Sequence, residues 1–146
     1  MVLIMSLVVL TRYGFDSNSI ALQESVTYLH GTLFMLAAAY TLRHDGHVRV
    51  DIFYREFSPR AKAWVNCLGT LVFLWPLCAF IFFSSLHYVS ESWRVWESSD
   101  QPGGLPGVFL LKTLIPTMAV LLGMQGLIEF VRQAAVLIMK AEPDAG

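Results

Sequence analysis

Charge is what this sequence has least of. Of 146 residues only 14% are charged, against roughly 25% in an ordinary soluble chain, which argues against a soluble enzyme. Ten Lys and Arg stand against eleven Asp and Glu, a net charge of -1. The basic surface that would neutralise nucleic-acid phosphates is therefore missing, and no nucleic-acid partner is expected. Cysteine is scarce too: Cys67 and Cys78 lie eleven residues apart in one expected helix, about 16 Å at 1.5 Å per residue, too far to bridge. With no CxxC or Cys/His zinc spacing, cysteine usage says nothing about the redox compartment. The start, Met-Val-Leu-Ile-Met, has neither a basic n-region nor a small-residue cleavage site, so the first apolar run is expected to belong to the mature protein. What remains is apolar, 55% of the chain, and its expected solvent is lipid.

The few charges divide the chain into four apolar blocks: Met1 to Thr11, Ser25 to Leu42, Ala63 to Ser90, and Thr113 to Ile128, the last extending back through Val108 if Lys112 snorkels. The second block has 18 uncharged residues and the third 28, and about 27 Å of helix or more crosses a core of about 30 Å. The first has only 11 residues before Arg12, about 17 Å, so its helix is short or shortened at its start. The expectation is an all-α membrane protein, a four-helix transmembrane bundle in a single membrane domain over 1–146. Its spans fall near 1–14, 22–43, 60–90 and 108–132, followed by a cytoplasmic tail over 133–146.

Lys and Arg set the orientation. Five lie between Arg43 and Lys62 and two more are Arg132 and Lys140, against three (Arg12, Arg94 and Lys112) on the opposite side. Seven against three places both termini and the central loop in the cytoplasm. Trp64 at one end of the third span, and Trp93 and Trp96 past the other, match the preference of indole rings for headgroup depth. In the central loop Asp51 is expected to cap an amphipathic arm over 51–57 that lies flat in the headgroups. Ser58 and Pro59 read as N-cap and first residue of the next helix. Pro76 should bend the third span, and the Gln101 to Gly107 stretch, rich in Pro and Gly, is an outer loop.

Several residues invite chemistry. His30 and His87 fall at similar depth, where two antiparallel helices would place them on either side of a haem iron, or where each simply makes an interhelical hydrogen bond. His44, Asp45, His47 and Asp51 suggest a metal, but they occupy one short loop without a closing ligand, and Gly46 makes a turn the plainer purpose. Glu24 beside a span reads as a proton or cation site, or as a carboxylate placed favourably in the first turn of the second helix. Gln125 between Gly123 and Gly126, and the pair Gly31 and Ala38, mark seams where another helix approaches closely. No nucleophile with its base, phosphate loop or intramembrane carboxylate pair is present, so no catalytic role is expected.

The string Arg43-His44-Asp45-Gly46-His47-Val48-Arg49-Val50-Asp51, after an apolar span and before an apolar arm, resembles the central signature of the small membrane (Q) subunit of tripartite ATP-independent periplasmic (TRAP) transporters. Arg12-Tyr13, Gln23-Glu24 at the opening of the second span, Trp96-Glu97-Ser98 with Leu105-Pro106, and Ile115-Pro116 followed by Leu122-Gly123-Met124-Gln125 agree in order, so the resemblance covers about Thr11 to Arg132. It implies a multi-pass subunit of a bacterial inner-membrane complex. In such a complex a periplasmic substrate-binding protein captures an organic acid or similar solute, and a large multi-span subunit carries it inward with sodium ions. In that family the small subunit contributes no known substrate or sodium site, so this chain would be a scaffold, with no metal or cofactor expected.

On that reading Arg12, Glu24, Gly46, His47, Arg49, Asp51, Trp96, Glu97, Ser98, Pro106, Gly123, Gln125 and Gly126 are candidates for structure or partner contact. Arg55, Arg60, Lys62, Trp64 and Trp93 are candidates for lipid contact, each basic side chain contributing on the order of 1 kcal/mol near anionic lipid. Two other readings compete: a haem- or quinone-binding anchor of an oxidoreductase through His30 and His87, which would show a Soret band if haem is bound, and a small exchanger built on Glu24. Replacing Asp51 by Ala is expected to lower the yield of intact complex more than it alters substrate affinity, since a lost cap costs about 1 kcal/mol. A changed sodium dependence with normal assembly would contradict that role.

Overall fold

A computed structural model describes residues 1–14, 19–44 and 57–139. The described residues form four helical rods. α1 is Val2–Gly14 and α2 is Ile20–Arg43. α3 runs as α-helix over Pro59–Gly69 and Trp75–Arg94 with a π-helical turn, Thr70–Leu74, between them. α4 is Val108–Met139. The expected arm, with Gly46, His47, Arg49, Asp51 and Arg55, lies outside the described residues.

Helix ends follow local chemistry. Ser58 caps α3, its hydroxyl accepting the Ala61 N–H at 3.3 Å, and Pro59 follows where a missing N–H costs nothing. Ser19 caps α2 in the same way through the Leu22 N–H at 3.4 Å. α2 therefore begins before Gln23 and Glu24, which were expected to open it, and Glu24 sits one turn inside, beyond the reach of a first-turn dipole effect. The π turn has its cause in Pro76. A proline ring collides with the carbonyl four residues back, and the wider turn, closed by the Trp75 N–H on the Thr70 carbonyl, relieves that crowding. α4 continues to Met139, past Arg132, into the segment expected to be tail.

Two of these helices are long and apolar enough to cross a membrane, Arg60–Arg94 and Val108–Ile138, about 52 Å and 46 Å of helix at 1.5 Å per residue. α2 has the length, with 24 residues, but its first half carries Gln23, Glu24, Thr27, Tyr28 and His30. Its run of uncharged residues is not a run of apolar ones. α1 is apolar with 13 residues and is the short first helix expected.

α4 is the centre of the bundle, since α2 and both halves of α3 pack on it. The buried positions are small: Ala63, Cys67, Cys78, Ser85, Val89 and Ser92 form one stripe along α3, while Pro116, Ala119 and Gly126 lie buried in α4. Large apolar side chains point outward, Phe73, Phe80 and Phe83 being 70% exposed or more. That is the inverse of a water-soluble core. It is what helix pairs show where lipid solvates the outside and close backbone approach, rather than apolar burial, holds rods together. An added Cβ at Gly126 would lie 2.5 Å from Leu74 Cδ2, and one at Gly31 would lie 3.2 Å from Leu111 Cδ1. The seams opened by Gly31, Gly123 and Gly126 are thus filled by helices of this same chain.

Candidate functional site

Among the described residues, the densest polar structure lies where α2, the end of α3 and the start of α4 meet the loop over residues 95–107. Glu24 reaches from α2 to that loop: Ser99 Oγ donates to its Oε1, and the Leu105 N–H donates to its Oε2 at 2.7 Å. Ser99 in turn donates its N–H to the Leu105 carbonyl at 3.2 Å and accepts the Gln101 N–H on its hydroxyl at 3.2 Å. Between these anchors, Gln101-Pro102-Gly103-Gly104 makes a turn closed by the Gly104 N–H on the Gln101 carbonyl at 3.0 Å. Proline in its second position and Gly103 at φ +80° in its third are what a type II turn requires. Gly104 has no room for a side chain: a Cβ would fall 2.5 Å from Ser99 Oγ and 2.9 Å from Glu24 Oε1.

A second tie joins the loop to α4. Lys112 Nζ donates to Glu97 Oε2 at 2.5 Å while lying 3.9 Å from the centre of the Tyr88 ring, so the ammonium is neutralised on one side and faces a π surface on the other. Glu97 is placed by the termination of α3. The Glu97 N–H bonds to the Ser92 carbonyl at 3.0 Å and the Trp96 N–H to the Trp93 carbonyl at 3.3 Å, the paired bonds of a Schellman ending. Glycine usually occupies its left-handed position; here Trp96 does, at φ 48°. Ring contacts offset that strain, because Trp96 lies edge-on to Trp93 (5.8 Å) and to Phe109 (5.2 Å). Trp93 contacts Phe109 at 4.7 Å and donates its indole N–H to Thr113 Oγ1 at 2.8 Å. The hydrogen bond from Lys112 holds the Glu97 carboxyl below its ordinary range.

Of the residues singled out from the sequence, Glu24, Trp93, Trp96 and Glu97 come together here. Ser98 and Pro106 are exposed beside them, and it is Ser99 that makes the bond. Ser99, the Leu105 amide, Lys112 and Thr113 carry the site yet were not singled out as such; their pairing spans up to 81 residues of sequence, which no periodicity reports. Arg12 ends α1, exposed. Gly123 faces Cys78 and Gly126 faces Leu74, while Gln125 is half-buried on α4. Arg60 and Trp64 are exposed at the start of α3, and Lys62 is half-buried.

The two histidines of the spans differ in their surroundings. His30 lines two grooves, one with Tyr88 and Leu111 and one with Phe34 and Ala38, and His87 lines neither. Glu24, the other candidate for chemistry, has both of its oxygens accepting hydrogen bonds from the loop. His44 closes α2, its ring nitrogen 3.0 Å from the Tyr40 carbonyl, and the rest of the His/Asp loop falls outside the described residues.

Long apolar rods, small residues in the seams and a polar cluster spent on bracing a loop define a helical membrane protein whose conspicuous polar site does structural work. Residues 1–136 match the family of tripartite ATP-independent periplasmic transporters, DctQ component, and the chain belongs to that family. It is a membrane transport component and not an enzyme. No curated protein matches the chain. No solved structure matches it either.

Two outcomes follow from the loop. Trp96→Gly and Trp96→Ala both lose the ring contacts, but Gly tolerates the left-handed backbone, so the Gly variant should be the more stable of the two by about 1 kcal/mol in detergent unfolding; the reverse order would contradict the left-handed ending. Because Glu97 has a lowered pKa in the folded chain, its contribution is fully present above the unfolded carboxyl value and is lost as pH falls through the lowered one. Protease resistance of the loop should therefore decline only in acid, and Glu97→Gln should shrink that acid decline; identical profiles would contradict the tie.

Proposed function

We propose that this chain is the non-catalytic scaffold of a sodium-coupled secondary transporter that imports organic acids or similar small solutes. It forms one membrane domain crossing the bacterial inner membrane four times, with both termini and the central loop inside. α1 and the polar first half of α2 complete their crossings against a large multi-span transport subunit, which supplies the partners that lipid does not. Arg12, Gln125 and the exposed apolar faces meet that subunit. Gly46, His47, Arg49 and Asp51 brace the central loop, while Arg55, Arg60, Lys62 and Trp64 hold the cytoplasmic side at the headgroups.

The observation that carries this reading is the double bracing of the 95–107 loop by Glu24 and Lys112. A loop fixed at two points, with Trp96, Ser98, Asp100 and Pro106 on its exposed surface, is preorganised to meet a rigid partner without an ordering cost on binding. That partner is the periplasmic substrate-binding protein, and the face offered to it is acidic and aromatic.

The test is a mild-detergent purification of the chain, tagged at Gly146 and expressed with its native neighbours. A much larger polytopic subunit is expected to co-elute in stoichiometric amount. Glu24→Ala leaves the Leu105 N–H without its acceptor and is expected to weaken capture of the periplasmic protein about tenfold while the two membrane subunits stay together. A chain that elutes alone, or a Glu24→Ala variant with undiminished capture, would contradict the scaffold or its docking face respectively.

A further inference from the structure

At the end of the bundle away from the braced loop, α2, α3 and α4 leave a groove of about 290 Å³. Leu42, Val65, Gly69, Leu74 and Gly126 line it together with the polar Asn66 and Thr70, and Glu129 stands in its wall. The groove owes its shape to the π turn, which widens α3 at Thr70–Leu74, and to Gly126, which lets α4 come close enough that a Cβ there would touch Leu74. Glu129 is the charged member of that lining. Its side chain is 19% exposed, and its Oε1 accepts a hydrogen bond from Gln133 Nε2 at 2.6 Å. Oε2 has the Arg132 guanidinium at 3.8 Å, outside hydrogen-bond reach, and that guanidinium is 73% exposed. A carboxylate oxygen between apolar walls favours a charged N–H donor, and the exposed cation beside it is open to an anion. The exposed Trp64 next to Val65 puts the groove's mouth at the depth where indoles and basic residues meet headgroups.

We propose that the groove is a binding site for one phosphatidylethanolamine molecule. Its ammonium donates to Glu129 Oε2, its phosphate lies against Arg132, and an acyl chain runs along Val65, Gly69 and Leu42. An amine and a phosphate joined by a short link reproduce the adjacent charges in the opposite sense. A choline headgroup carries the same charges but no N–H, and an anionic lipid would bring its charge against Glu129. The site depends on the membrane setting of the family and not on how the subunit meets its protein partners.

The experiment is native mass spectrometry of the purified complex after incubation with dioleoyl phosphatidylethanolamine or dioleoyl phosphatidylcholine, which differ only in the headgroup amine. Occupancy by one ethanolamine lipid per chain is expected to exceed that of the choline lipid about tenfold, the worth of one charge-assisted hydrogen bond. Glu129→Gln should reduce it to the choline level. Gly69→Leu keeps the carboxylate and adds bulk where a Cβ has nothing within 4 Å, so the bundle stays packed while both lipids lose occupancy. Equal occupancy by the two lipids, preference for dioleoyl phosphatidylglycerol, indifference to Glu129→Gln in a folded complex, or no lipid retained by the wild type would each overturn the proposal.

Discussion

The Glu24 carboxylate satisfies two donors in a loop 75 and 81 residues further along the chain. Without it the Leu105 amide and the Ser99 hydroxyl would lose their acceptor, and the loop would be tied to the bundle through Lys112 and Glu97 but no longer to α2. With it, α2 is fixed to the junction of α3 and α4 at the level where the rods end. The glycines follow from this constraint. Gly104 lets the carboxylate come against the loop backbone, and Gly103 supplies the positive φ that turns the chain back towards it. An ionised acceptor makes stronger hydrogen bonds than a neutral one, which suits a carboxylate to holding a loop at a helix end.

The rest of the bundle is arranged so that these ends can meet. In lipid there is little to gain from burying apolar side chains between helices, so close approach decides the packing. Alanine, serine, cysteine and glycine occupy the stripes where α3 and α4 touch, and the large aromatics are turned outward. The π turn shows the same economy. Pro76 disturbs the hydrogen-bond ladder of α3, and the extra width it forces is accommodated where Gly126 has no side chain. Lys112, a charge in the second turn of an apolar helix, is tolerated because Glu97 and the Tyr88 ring enclose its ammonium.

Much of the fold was legible in the sequence because sparse charges mark the ends of apolar blocks. The rods at residues 2–14, 59–94 and from 108 onward fall where those blocks lie, and the Ser58-Pro59 start is local chemistry visible in two letters. α2 starts at Ile20, ahead of the Gln23-Glu24 pair, because the Ser19 hydroxyl caps it. Counting uncharged residues also overstated α2, whose hydroxyls and His30 are neutral without being apolar. The family could be read from the string over Arg43 to Asp51, although most of it lies outside the described residues. The site could be read only in part. Trp96 and Glu97 stood out as a pattern, but Ser99 in place of Ser98, and Lys112 as partner of Glu97, are facts of three-dimensional pairing. His30 and His87 illustrate the converse, since equal depth along two helices says nothing about which way each ring faces.

The most direct test of the account is hydrogen–deuterium exchange at the Leu105 amide in the intact membrane complex. The account predicts protection comparable with that of helix-interior amides, lost when Glu24 is replaced by Ala while the amides of α4 keep theirs. A Leu105 amide that exchanges as fast as an open loop in the wild-type protein would contradict it, because the carboxylate on α2 would then not be holding the loop.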